Sequence, residues 1–261
     1  MNKLVASLLT VAAIGSFFSC KKAGNSSNPQ FRVTHAHDSL ITYGTGNYPY
    51  VKDYKITYTD AEKLSTIKEV NTEYYYGGFN MDSSLRSFNF GSNNIIIDIQ
   101  QSGTVSRDSA SLNAAGQLFL LLGNDFAEYS YNSNFQLQAS QDILGTYNYI
   151  WDNNGNISSL INESTLDTQM VSYYTDKADA FGNYPCTDQF YFYGMLPVRT
   201  RNLIKSLVST QSSYYFTNSY IDYTTDAQGH ILSEVIKSYT GSLSQITDST
   251  YRQVNFDYEV K

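Results

Sequence analysis

Along most of the chain after residue 50, apolar and polar residues alternate with a period of two. That spacing sends successive side chains to opposite faces of a β-strand. Tyr54, Ile56 and Tyr58 alternate with Lys55 and Thr57. Val254, Phe256, Tyr258 and Val260 alternate with Asn255, Asp257 and Glu259, as in a half-buried antiparallel strand. Ile95-Ile96-Ile97-Asp98-Ile99, within 94–101, is instead a continuous apolar run, which predicts a strand buried on both faces and singles out Asp98 inside it. Residues 202–209 fit a short helix, by the spacing of Leu203, Ile204, Leu207 and Val208, and a strand nearly as well. No alternation of strands with helices is visible. The pattern therefore predicts an all-β domain, an antiparallel meander of stacked β-hairpins with roughly a dozen strands. A sheet that wide curls, so a strongly curled sheet or open barrel is expected rather than a flat one.

Between strands one short grammar recurs. In Trp151-Asp152-Asn153-Asn154-Gly155-Asn156-Ile157, Asp152 can accept a hydrogen bond from a backbone N–H two residues on, and Gly155 tolerates positive φ. The same order appears from Asp226 through Gly229 to Ile231, and from Asn113 through Gly116 to Leu118. Asn132 to Leu137 keeps the frame without the glycine, and Thr59 to Leu64 is more degenerate. The rhythm breaks over 176–202, where Gly182, Pro185, Gly194 and Pro197 punctuate a long connection.

These units, with Tyr ahead of Asp and then Gly and an aliphatic residue, resemble the tyrosine–aspartate repeats of RHS-like proteins. Turn heads Asn113, Asn132 and Asp152 lie one such repeat apart. The whole chain resembles Bacteroidota envelope lipoproteins that carry a β domain of this kind. The resemblance implies stacked hairpins and an envelope location, and it brings no catalytic residues with it.

The first residues change the picture of where the domain works. Lys3 opens a short basic segment, Leu4–Phe18 is apolar but shorter than a membrane-spanning helix, and Ser19-Cys20 closes it like a lipoprotein cleavage site. Residues 1–19 are expected to be a signal peptide, 20–30 a flexible tether carrying lipid on Cys20, and 31–261 a single β domain. The membrane is thus an expected partner, most simply the outer membrane. Lys21-Lys22 after the cysteine favours its periplasmic face. With Cys20 acylated, Cys186 has no partner within the chain, and its surroundings read as a buried thiol. The net charge of −7 argues against nucleic acid, which is held mainly through Lys and Arg. From Asp108 to Asp176 every charged residue is acidic, a solvated acidic face by default.

Candidate chemistry is sparse. His35 and His37 share one strand face, but no third ligand is spaced for them, so they read as polar residues on an edge strand. No metal site and no cofactor is expected. Gly-x-Ser-x-Gly, His-Glu-x-x-His and phosphate-cradling glycine loops are absent. The candidate contact residues are aromatic. Tyr129 and Tyr131 precede turn head Asn132 as Tyr149 and Trp151 precede Asp152, with Tyr147 extending the stripe. Their spacing puts the rings on one face as a ladder, serving as core or as a platform for a glycan, a peptide or an envelope partner. The expected function is a non-catalytic binding or scaffold module. A carrier of a lipophilic ligand in a barrel mouth and a glycoside hydrolase using two carboxylates are the alternatives.

Overall fold

The computed structural model describes residues 31–44, 49–59, 63–75, 77–123, 126–143, 145–179, 200–209, 216–242 and 245–260. The leader, Cys20, the tether and Cys186 lie outside them. Every element among the described residues is a strand: β1 (Phe31–Gly44), β2 (Tyr50–Tyr58), β3 (Leu64–Tyr75), β4 (Gly78–Phe90), β5 (Asn94–Gln101), β6 (Thr104–Leu112), β7 (Leu118–Leu122) and β8 (Ala127–Tyr131) come first. They are followed by β9 (Leu137–Asp142), β10 (Gly145–Trp151), β11 (Ile157–Asn162), β12 (Thr168–Ala178), β13 (Asn202–Ser209), β14 (Phe216–Thr225), β15 (Ile231–Ser242) and β16 (Gln245–Val260). Each pairs antiparallel with its sequence neighbours, and β1 pairs with β16, so the meander closes into a barrel. The expected curl thus runs to full closure, which leaves no sheet edge exposed. The undecided stretch 202–209 is a strand, because β12 and β14 offer it pairing on both sides.

The turn grammar becomes one repeated geometry at one end of the barrel. At Asn113, Asn132, Asp152 and Asp226 the head's N–H donates to the carbonyl four residues on, and the N–H three residues on donates back. The head's side-chain Oδ1 accepts from the backbone N–H groups two and four residues on. Thr59 reproduces part of this with its hydroxyl, which accepts from the Lys63 N–H. The fourth residue of each full turn has positive φ, from 61° at Phe135 to 89° at Gly229.

Each turn shifts the register by one residue where the next strand begins. Such a bulge takes a carbonyl out of the ladder, and here an aromatic donor from the adjoining strand serves it. Tyr131 Oη donates to the Leu118 carbonyl, Trp151 Nε1 to Leu137, Tyr173 Oη to Ile157 and Tyr258 Oη to Ile231. Each acceptor lies five residues after its turn head. Tyr58 does the same for Val33 beside the bulge in β1.

The core lies inside the barrel, next to these turns. One apolar cluster runs around β2–β11 and includes Ile56, Ile67, Phe88, Ile97, Leu121 and Leu137. A second spans β1 and β13–β16, with Ile204, Ile221, Ile236 and Phe256. Val33, Tyr54, Val171 and Leu207 pack against both. β7 and β8, of five residues each, do little more than cover this core, whereas β16 has sixteen and β1 fourteen. At ~3.3 Å per residue the long strands run well past the core, and apart from Leu40 their inward residues there are largely polar, Asp38 and Arg252 among them.

One expectation fails at β5. Ile95 and Ile97 are buried, but Ile96 is only half-buried and Asp98 points outward. Asp98 accepts a 2.7 Å hydrogen bond from Arg107 Nε across the β5–β6 pair. A single-layered barrel wall has only one dry face, so the apolar run could not be buried on both. The buried acid of this hairpin is Asp108, over which the Gly123 backbone passes so closely that a Cβ would collide with its carboxylate.

Candidate functional site

The aromatic stripe takes inward positions. Tyr129 is buried within the first core cluster, and Tyr131, Tyr149 and Trp151 pack against it. Tyr147 stands opposite Ser140 in the β9–β10 register, as Tyr129 does in the β8–β9 register, so the rings share the inner face. Their polar tips are engaged: Tyr149 Oη lies 2.9 Å from Ser140 Oγ, and Tyr131 and Trp151 serve the bulge carbonyls. Burial pushes the Tyr131 and Tyr173 hydroxyls well above the ordinary phenol range.

Farther from the turns, the inner wall of β1–β4 and β15–β16 carries charge. Arg252 grips Asp38 with both ends of its guanidinium, Nε to Oδ1 and Nη2 to Oδ2, each at 2.8 Å. Glu69 accepts from Arg86 Nη1 at 2.9 Å and lies 3.7 Å from Lys52 Nζ. Glu234 is 1% exposed on the same wall. Opposite-charge pairing is what makes such burial tolerable. Burial raises the Tyr50 hydroxyl above its ordinary range, Arg252 opposes this, and the Asp38 and Glu69 carboxylates add to the rise. Tyr54 is shifted the same way, first by burial and then by Glu69. Sequence reasoning missed this network. Its signal was a charged residue in phase with an apolar stripe: Lys52 two before Tyr54, and Arg252 two before Val254.

His35 and His37 face outward from β1, and each meets a carboxylate on a neighbouring strand. His35 Nδ1 lies 3.2 Å from Asp257 Oδ2, and His37 Nδ1 lies 2.7 Å from Asp53 Oδ1. Among the described residues no group of three or more His, Cys, Asp or Glu is arranged to hold a metal ion. The outer wall mixes charged residues with exposed apolar ones such as Phe119, Ile150, Met170, Tyr220 and Leu232. Lys55 and Lys68 are exposed directly opposite one another on β2 and β3, Asp98 and Arg107 pair across β5 and β6, and Lys237 is exposed on β15.

No family model matches the chain, and no curated protein matches it. Among solved structures, it is similar to a porin-like protein from Bacteroides uniformis, with 15% sequence identity and a TM-score of 0.60 over 87% of this chain and 98% of that one. A porin-like protein from Bacteroides vulgatus aligns over the same shares at 9% identity, but its TM-score of 0.25 carries no weight. At these identities the likeness is one of fold: an all-β barrel of the kind seen in the Bacteroides uniformis protein.

Proposed function

We propose that this chain is a cell-envelope barrel surrounded by water, tethered through lipid on Cys20, and that it works as a non-catalytic binding or scaffold module rather than as a pore. The observation that carries the reading is the packed apolar interior at the turn end. A membrane-spanning barrel turns an apolar band about 25 Å tall toward lipid and keeps its interior polar. Here the turn-end interior is filled with Ile, Leu and aromatic side chains, while exposed lysines oppose each other outside. A lysine facing lipid at the bilayer midplane costs roughly 2–4 kcal/mol. A carrier of a lipophilic molecule is less well supported, because the apolar volume holds the barrel's own side chains and the wall beyond it is charged. Glycoside hydrolysis is less well supported too, since Asp38 and Glu69 are both held in ion pairs. On this reading Tyr129, Tyr131, Tyr147, Tyr149 and Trp151 are packing residues of the barrel, and contact with a glycan, peptide or envelope partner falls to other surfaces.

The test uses the full chain and its Cys20→Ala variant. The wild type is expected to take up a fatty-acid probe and sediment with membranes, and the variant to be unlabelled and folded in detergent-free buffer. Neither should produce conductance steps in a planar bilayer. Stepwise conductance, or a variant soluble only in detergent, would overturn the water-surrounded reading; labelling that survives in the variant would overturn the anchor.

A further inference from the structure

Beyond the packed core the inner wall is acidic. Lys52, Arg86 and Arg252 are the bases at inward positions on β1–β4 and β16, and Asp38 and Glu69 hold them in the pairs described above. Toward the open end, the register gives inward positions to Glu73 opposite Tyr50, Asp82 opposite Asn71 and Asp248 opposite Thr240. Across the lumen, Asp142 on β9 faces inward opposite Ala127. On these strands the inward carboxylates thus outnumber the bases by six to three. Outside, the same strands are balanced, Asp53 and Asp257 against Lys55 and Lys68. A second feature is independent of charge. Ser84 is 8% exposed, and its Oγ has no hydrogen-bond partner. Asn71 Oδ1 and Asp248 Oδ1 are buried and unpartnered as well. All three side chains take inward positions, Asn71 and Ser84 on either side of Asp82. Buried polar groups in folded proteins are hydrogen-bonded as a rule, so these atoms mark where a missing partner belongs.

We infer that the open end of the lumen binds a linear polyamine; the inference rests on the binding-module reading above and names its ligand. The unmet groups fix the chemistry. A carbonyl oxygen and a carboxylate oxygen need donors, and Ser84 Oγ accepts as readily as it donates. Ammonium groups supply donors and the opposite charge together. An anion would meet the excess of carboxylates, and a neutral sugar would leave that excess uncompensated. The field is strongest inside, because a cleft lined by one sign of charge and walled by low-dielectric protein concentrates counter-ions. Spacing separates a polyamine from a metal ion. A hard divalent cation needs several oxygens around one point. Among the described residues no group of three or more His, Cys, Asp or Glu is arranged that way. Glu73, Asp82, Asp142 and Asp248 are spread over four strands around the mouth instead. Several ammonium groups strung along a flexible chain match that spread.

Isothermal titration calorimetry of the Cys20→Ala full chain with spermine tests this. Binding is expected at low ionic strength, and is expected to weaken as salt brings the Debye length down to about 8 Å near 0.15 M. Glu73→Gln/Asp248→Asn should lower the affinity about tenfold with an unchanged melting temperature. Asp53→Asn/Asp257→Asn removes the same charge from the outer wall and should leave the affinity as it is. Glu73→Gln alone, at an exposed rim position, is the fallback if the double variant does not fold, and should weaken binding about threefold. No heat of binding, equal affinity in the parent and the lumen variant, or an equal loss in the outer-wall variant would overturn the inference. So would calcium or magnesium that binds more tightly than spermine and loses affinity in the same lumen variant, which would assign the mouth to a metal ion. None of these outcomes touches the absence of conductance or the labelling of Cys20, so failure here leaves the water-surrounded, anchored barrel standing.

Discussion

At Phe135 a bulky side chain occupies the position that Gly116, Gly155 and Gly229 hold in the sister turns, with φ of 61°. The left-handed region costs an L-residue roughly 1–2 kcal/mol. The Asn132 turn is nevertheless complete, because four hydrogen bonds anchored on Asn132 hold the backbone there. The Phe135 side chain is 63% exposed, so little packing repays the strain. Phe135→Gly is therefore expected to stabilise the barrel. Strain relief less the roughly 0.4–1 kcal/mol that glycine loses through the unfolded chain leaves a net gain of about 0.5–1 kcal/mol. Urea denaturation of the Cys20→Ala protein measures it, and a loss of stability would show that the ring makes contacts worth more than the strain.

Among the elements, the seam between β1 and β16 decides whether the meander closes. Its register runs from Phe31 opposite Val260 to Gly44 opposite Asp248, and it is held inside by Asp38–Arg252 and outside by His35–Asp257. Only the inner pair is dry: the Asp38 side chain is 2% exposed and that of Arg252 16%. Removing one member of such a pair strands a buried charge, which costs roughly 3–5 kcal/mol. Arg252→Met should lose about that much, and Asp38→Leu/Arg252→Met should recover most of it. Chemical denaturation of the two single variants and the double variant checks this as a cycle. Additive losses would mean that the pair does not clamp the seam.

For the whole molecule, acid is the expected route to loss of structure. Hydrogen bonds from Gln101, Ser102 and the Ser83 amide hold the Asp82 carboxyl below the usual carboxylate range. At Asp226 desolvation pushes upward, but the His230 side chain and the amides of His230 and Gln228 outweigh it, and the net shift is down. A carboxyl depressed in the folded state stabilises that state above its unfolded value near ~3.9. The contribution is lost as pH falls through the lower folded value. The two residues sit at opposite ends of the barrel, so both ends should loosen together below about pH 4. Melting temperatures followed down through this range should fall less steeply in Asp82→Asn/Asp226→Asn than in the parent chain. Equal slopes would place the acid sensitivity elsewhere.

Local rules determined much of this protein. The period-two pattern sets strands and inward residues, and an Asn or Asp followed three residues later by Gly sets a bulged turn, because side-chain reach and positive φ are properties of a few adjacent residues. Tyr131 and Trp151, each just ahead of a turn head, were legible as one ladder on a single face for the same reason, though not as its inner face. Three things were decided only by tertiary structure. Full closure depends on β1 meeting β16 across more than two hundred residues of chain. That closure and the β2–β4 register bring together Asp38–Arg252 and the Glu69 network, whose phase with the apolar stripes marks the charges as inward but names no partners. The sidedness of β5 was the third: a run of three isoleucines does not say whether a strand has one dry face or two, and the single-layered wall left Asp98 outside with Arg107.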